Sequence, residues 1–259
     1  MAVRNELSRD QRIAMDAGCV SSFRRVCGFA CSIAAVSLVL SSIASHVLQA
    51  WPLGTELPWW KIFRRSVSIA AVLVLAAFLR AHGQSIRSLG LSGWAQGKRQ
   101  IIQGFLLGWG VILVLIGVYL ATGVCRIAIH PDTGRVWRTL LGFLLGAGVV
   151  AVLEELVFRG YVLQHLLNCS RSFAVMTSSA SYALVHLRPH PIWPGSFFEL
   201  IGLFVLGWVL ALSYLRTKQL YLAIGLHAGL AYWAQVNKLL IQFSVPSRQS
   251  SAARPSKKR

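Results

Sequence analysis

Apolar and polar residues follow one another along this chain in long blocks, with no two-residue alternation of the kind a strand would show. Apolar runs cover about 26–49, 66–82, 101–124, 137–168, 172–187, 197–215 and 219–236. A helix of about 20 apolar residues is long enough to cross a bilayer's hydrocarbon core. The pattern therefore predicts an all-α fold, a polytopic transmembrane helical bundle of seven to eight spans. The eighth span arises if the fourth run breaks or if residues 238–246 re-enter the membrane.

The segments between the runs fit that division. Residues 1–22 are polar and basic and read as a soluble lead-in; without a cleavage site after a short apolar core, the first span acts as an uncleaved anchor. Trp51, Trp59 and Trp60, beside Pro52 and Pro58, suit the headgroup layer where indole rings settle. Residues 83–99 read as a loop with a short interfacial helix, and Pro131 and Gly134 mark another loop. Pro189, Pro191 and Pro194 keep residues 188–195 from being helical, because each removes a donor and clashes with the preceding turn. Four segments result: the lead-in 1–22, variable spans over 23–136, a core over 137–236, and a basic tail over 237–259.

Composition agrees with lipid as the main solvent. Of 259 residues, 55% are hydrophobic and 13% charged, where a soluble domain carries about 25% charged residues. The charge is lopsided, with 26 Lys+Arg against 8 Asp+Glu. The basic residues form no single stripe, which excludes nucleic acid as the partner. They sit between apolar runs, where they fix topology and meet anionic headgroups of the bilayer. Arg4, Arg9, Arg12, Arg24 and Arg25 place the start of the chain in the cytoplasm of a multi-pass protein of the cell membrane. Seven spans would then leave the tail Arg254, Lys257, Lys258 and Arg259 outside, against the same rule, and an eighth span would remove the conflict. Cys19, Cys27, Cys31, Cys125 and Cys169 lack metal-ligand spacing and read as buried apolar thiols.

Of the eight acidic residues, two follow an apolar stretch inside the fourth run: Glu154 and Glu155. A carboxylate at the centre of a spanning helix costs about 2.5–3.5 kcal/mol, and helix formation needs none, so such residues are candidates for function. Arg159, four residues after Glu155, shares its helix face and can pair with it. Glu154 lies about 100° around the helix and has no local partner. His186 ends the fifth run, one turn after Tyr182, and His227 lies mid-way through the seventh between Gly225 and Gly229. Those glycines allow a neighbouring helix or a substrate backbone to come close. His46, His82, His130 and His190 fall at span ends or loops; His165, on the same run as the glutamates, could line the same cavity. Arg188 and Glu199 frame the proline-rich loop. A carboxylate and two imidazoles meeting in a partly wet cavity can hydrolyse a peptide, the carboxylate taking a proton from water. The same groups could bind Zn²⁺, although the His-Glu-x-x-His spacing of zinc proteases is absent.

Glu154-Glu155-Leu156-Val157-Phe158-Arg159-Gly160 resembles the Glu-Glu-x-x-x-Arg motif of the CAAX protease and bacteriocin-processing family of intramembrane glutamic endopeptidases. Tyr182 through His186 resembles its Phe/Tyr-x-x-x-His motif, and the sequence at His227 its His-x-x-x-Asn/Asp motif. The resemblance covers about 137–236. It implies that Glu154 activates water, His186 helps hold it and His227 contributes to the oxyanion site, with Glu155 and Arg159 in support. It also implies a membrane-associated peptide or protein as substrate, either prenylated or a leader peptide, and no cofactor; zinc on Glu154, His186 and His227 is the alternative. One departure stands out: Ala231 occupies the position of the motif's Asn or Asp, which shifts that role to another donor such as Gln235. Two other functions stay open. A non-catalytic immunity or scaffold protein on the same fold is supported by Ala231, and a proton-coupled transporter also uses buried Glu and His, but no internal repeat accompanies them.

Overall fold

The computed structural model describes residues 9–50, 57–127, 132–187 and 194–243, with side chains over 16–49, 57–127, 132–187 and 194–237. The seven apolar runs become seven helical segments. They are α1 (Arg9–Ala50), α2 (Trp59–Ala81), α3 (Trp94–Ala121), α4 (Thr133–Glu155), α5 (Arg171–Val185), α6 (Gly195–Thr217) and α7 (Tyr221–Leu240). The α4 helix does not stop at Glu155. It continues as a π-helical stretch, Leu156–Leu163, and closes with the α turn Gln164–Leu166. The expectations for Trp51 and Pro52, for the prolines of 188–193 and for the basic tail lie outside the described residues.

Among the described residues, five helices are long and apolar enough to cross a membrane: Asp16–Gln49, Trp59–Ala81, Trp94–Ala121, Thr133–Leu166 and Gly195–Thr217. Large apolar side chains such as Val114, Leu145 and Phe198 lie exposed on them, a cost in water but none in hydrocarbon. The protein is an all-helical integral membrane bundle. Its two remaining helices are shorter or more buried. With 15 residues, α5 rises about 23 Å, short of the roughly 30 Å core. The α7 helix buries Tyr221, Ala223, Ile224, Ala228, Tyr232 and Val236 around most of its circumference. These two carry His186 and His227.

Several local expectations need correction. The charged lead-in is helical from Arg9 and runs into the first span without a break, because no Gly or Pro between residues 9 and 17 interrupts it. The loop ascribed to 83–99 is shorter: a 3₁₀ turn over Ile86–Leu89 precedes α3, which starts at Trp94 after Gly93 at φ 73°. No described segment forms an eighth span. The fourth run stays continuous, and beyond α7 a short strand β2 (Ile241–Phe243) pairs antiparallel with β1 (Cys125–Ile127), which follows α3. The cysteines are not uniformly buried thiols: Cys19 and Cys169 form a disulfide tying α1 to the turn before α5, Cys27 and Cys31 are exposed, and only Cys125 is a buried thiol.

Because β1 and β2 follow the ends of α3 and α7, the two helices run in the same direction. They meet along glycines. A Cβ added to Gly225 would collide with the Ile101 carbonyl oxygen, and one on Gly229 would lie 2.6 Å from that of Phe105. From the other side, Gly104 and Gly108 press on the backbone of α7 in the same way. In lipid, where hydrophobic transfer does not favour helix association, such close van der Waals contact is what holds helices together. Aromatic rings extend the seam: Trp109 stacks on Tyr232 at 6.0 Å between ring centroids. The close approach that Gly225 and Gly229 allow is therefore taken up by α3. Gly225→Ala should destabilise the detergent-solubilised protein by about 1–3 kcal/mol, the usual cost of overpacking. Gly110→Ala, where a Cβ meets nothing within 4 Å, should leave the unfolding midpoint unchanged.

Candidate functional site

Glu154 and Glu155 are the last two residues of α4, just before the π-helical stretch. A π turn widens the helix and frees backbone groups, and such turns are frequent at functional sites. Here the carbonyl of Phe158 accepts a hydrogen bond from Ser178 Oγ on α5 at 3.0 Å. That contact fixes α5 against the site helix and satisfies a carbonyl buried within the bundle.

Glu155 is fully buried and ionically paired. Arg159 Nη1 donates to its Oε1 at 2.7 Å, and both side chains are 0% exposed. His227 Nδ1 donates to the same oxygen at 2.9 Å. Arg159 Nη2 donates to the Gly207 carbonyl on α6 at 3.1 Å, and its guanidinium lies 4.6 Å over the Tyr182 ring. One ion pair thus joins α4, the π stretch, α5, α6 and α7. Bringing a carboxylate and a guanidinium out of water costs several kcal/mol each, which the short pair and its extra hydrogen bonds offset in part; Glu155 Oε2 and Arg159 Nε stay without a hydrogen-bond partner.

Glu154 faces another way. Its Oε2 stands 3.6 Å from His186 Nε2 and 3.7 Å from His227 Nε2, too far for direct hydrogen bonds. That oxygen is out of contact with solvent and has no hydrogen-bond partner within the protein, although the side chain as a whole is 26% exposed. His186 Nδ1 lies 2.8 Å from the Tyr182 carbonyl, an acceptor, so Nδ1 carries the proton. The ring of His227 is fixed by the Glu155 carboxylate in the same sense. In their neutral forms both rings then turn an Nε2 lone pair toward Glu154. Three acceptors surround one small space, and a water can donate to two of them at once.

All six side chains singled out from the sequence, Glu154, Glu155, Arg159, Tyr182, His186 and His227, meet in this one region. His165 does not join them. Its Nδ1 lies 2.9 Å from the Tyr161 carbonyl, it stacks on Tyr161, and its charged neighbours are Arg25 and His82. Ala231 packs against the apolar cluster of Ala147, Tyr232 and Val236. Gln235, the suggested replacement donor, is exposed and stands two helical turns, about 12 Å, beyond His227. It is therefore not at the site. Glu199 lines a shallow cleft between α5 and α6 that also touches His186. The Gly207 carbonyl and the Ser178 hydroxyl had no signal in the sequence, since a backbone acceptor and a lone serine carry none. Among the described residues, no group of three or more His, Cys, Asp or Glu side chains is arranged to hold a metal ion.

Residues 136–233, which carry the paired glutamates and both histidines of the site, match the model of the family described as type II CAAX prenyl endopeptidase Rce1-like. No curated protein and no solved structure matches the chain.

The two glutamates should respond in opposite ways to neutralisation of their surroundings. Arg159→Met leaves the Glu155 charge buried without its cation and should cost about 3–5 kcal/mol of stability. Glu154→Gln removes a charge that faces two imidazoles beyond hydrogen-bond distance and should leave the unfolding midpoint unchanged or raise it. Thermal unfolding in detergent reads both.

Proposed function

We propose that the protein is an intramembrane endopeptidase of the cell membrane, hydrolysing a peptide bond in a membrane-associated substrate by glutamate-activated water. The observation that carries this is the geometry of Glu154: a partly accessible carboxylate whose buried Oε2 faces two imidazole nitrogens at one-water distance. Water held between Glu154 Oε2 and His186 Nε2 gives a proton to the carboxylate as its oxygen attacks the carbonyl carbon. The carbonyl oxygen becomes an oxyanion in the space bordered by His227. The tetrahedral intermediate collapses as the C–N bond breaks, and the proton on Glu154 passes to the leaving nitrogen, giving a carboxylate and an amine. Glu155 and Arg159 take no proton in this scheme; they hold His227 in place. Depth in the bilayer suits a substrate carried by the membrane, a prenylated C-terminus or a leader peptide, with the basic loops drawing the protein to anionic headgroups.

Purified protein in liposomes, offered a farnesylated reporter peptide and a complex unmodified peptide mixture, should cut at defined bonds. Glu154→Gln should lower kcat by at least a thousandfold at unchanged stability, and 1,10-phenanthroline should leave the rate unchanged. Full cellular activity in the Glu154→Gln variant would instead favour a non-catalytic immunity or scaffold role, and loss of cleavage with the chelator would favour zinc on Glu154, His186 and His227.

A further inference from the structure

The site as described is rich in acceptors and poor in donors. Glu154 is a carboxylate, and the neutral rings of His186 and His227 have committed their Nδ1 protons to the Tyr182 carbonyl and to Glu155. Arg159 spends Nη1 on Glu155 and Nη2 on Gly207, and its remaining Nε is buried in a side chain that is 0% exposed, with the guanidinium against the face of the Tyr182 ring. An oxyanion needs a donor aimed at it. Position 231, one turn past His227, offers only the methyl of Ala231, seated in an apolar cluster.

One hydroxyl does reach this space. Tyr182 is 2% exposed, and its Oη stands 3.4 Å from His227 Nε2. Since that nitrogen presents a lone pair in the neutral ring, the phenol donates and the ring accepts. At 3.4 Å the bond is long and costs little to give up. The Tyr182 ring is held rigidly, with Phe158 edge-on at 5.4 Å and the Arg159 guanidinium over its face at 4.6 Å. A cation against the ring withdraws electron density and makes the O–H a stronger donor. The ring cannot move, but the hydroxyl hydrogen can rotate about the C–O bond.

We infer that the Tyr182 hydroxyl is a catalytic oxyanion donor, turning from His227 Nε2 to the carbonyl oxygen of the substrate as the tetrahedral intermediate forms. It supplies the hydrogen bond that no side chain at position 231 can give. This rests on the peptidase function proposed above. No bond to Tyr182 forms or breaks, and the proton stays on the phenol throughout. The bland alternative is a packing tyrosine whose hydroxyl only satisfies itself on His227, and the two differ in rate and not in stability.

The test is kinetic, on the full-length protein in liposomes with the same farnesylated reporter and peptide mixture. Tyr182→Phe should lower kcat about 100-fold, the usual loss for one oxyanion donor, with KM and the unfolding midpoint unchanged. Replacing Tyr182 by 3-fluorotyrosine and 3,5-difluorotyrosine, which keep the ring's packing, should change kcat progressively with the phenol's acidity. A Tyr182→Phe rate within threefold of wild type, or a flat fluorotyrosine series, overturns the inference while an inactive Glu154→Gln keeps the peptidase reading intact. Wild-type cleavage rates in Glu154→Gln, or no cleavage by the wild-type protein, overturn the peptidase reading and the Tyr182 role with it.

Discussion

The buried ion pair between Glu155 and Arg159 is the contact on which the other elements of the site depend. Its two charges have no solvent to fall back on, so each must find protein partners or the helix would not settle at that depth. Glu155 finds the imidazole of α7 and Arg159 the carbonyl of Gly207 on α6 and the ring of Tyr182 on α5. Each partner comes from a separate helix. The need to neutralise one carboxylate therefore draws three helices to a fourth, and the position of His227 follows from it. Glu154, next in the chain, stands outside this web: its side chain is partly exposed and its Oε2 faces two imidazole nitrogens without a hydrogen bond to either. Adjacent glutamates are thus divided between holding the bundle and facing its reaction space.

Much of this was legible from the order of residue types. Apolar blocks of spanning length gave the seven helices, since lipid leaves the backbone few alternatives to helix. The spacing of Glu155 and Arg159 gave their pairing, because four residues return to the same face. Other features were beyond reach. Which helix fills the clearance around Gly225 is a long-range matter, and the answer, Ile101 of α3, lies in a part of the chain without any motif. The pairing of Cys19 with Cys169 joins residues 150 apart, and nothing in their spacing announces it. Gln235 looked like a donor by residue type alone, and the rise of the helix carries it away from the site.

The seam between α3 and α7 changes how the first half of the chain is viewed. The family match begins at residue 136, yet the backbone of α3, wholly before it, lies against the turn that carries His227. The variable spans are in this sense part of the site's scaffold. With α7 held by α3 on one side and by Glu155 on the other, His227 has little freedom in position, which is what a preorganised centre requires.

The π stretch from Leu156 to Leu163 carries a constraint of a different kind. It takes up more residues per turn than the α-helix around it, so it absorbs extra sequence between the two ends of one long element. Removing a single residue between Gly160 and Leu163 would allow the helix to heal into regular α form with its flanking segments close to their present phase, because the wide turn already absorbs the extra residue. Glu154 and Glu155 would keep their facing helices. The carbonyls that the wide turn frees would return to the helix's own ladder, and the bond from Ser178 Oγ to the Phe158 carbonyl, which holds α5 to the site helix, would be lost.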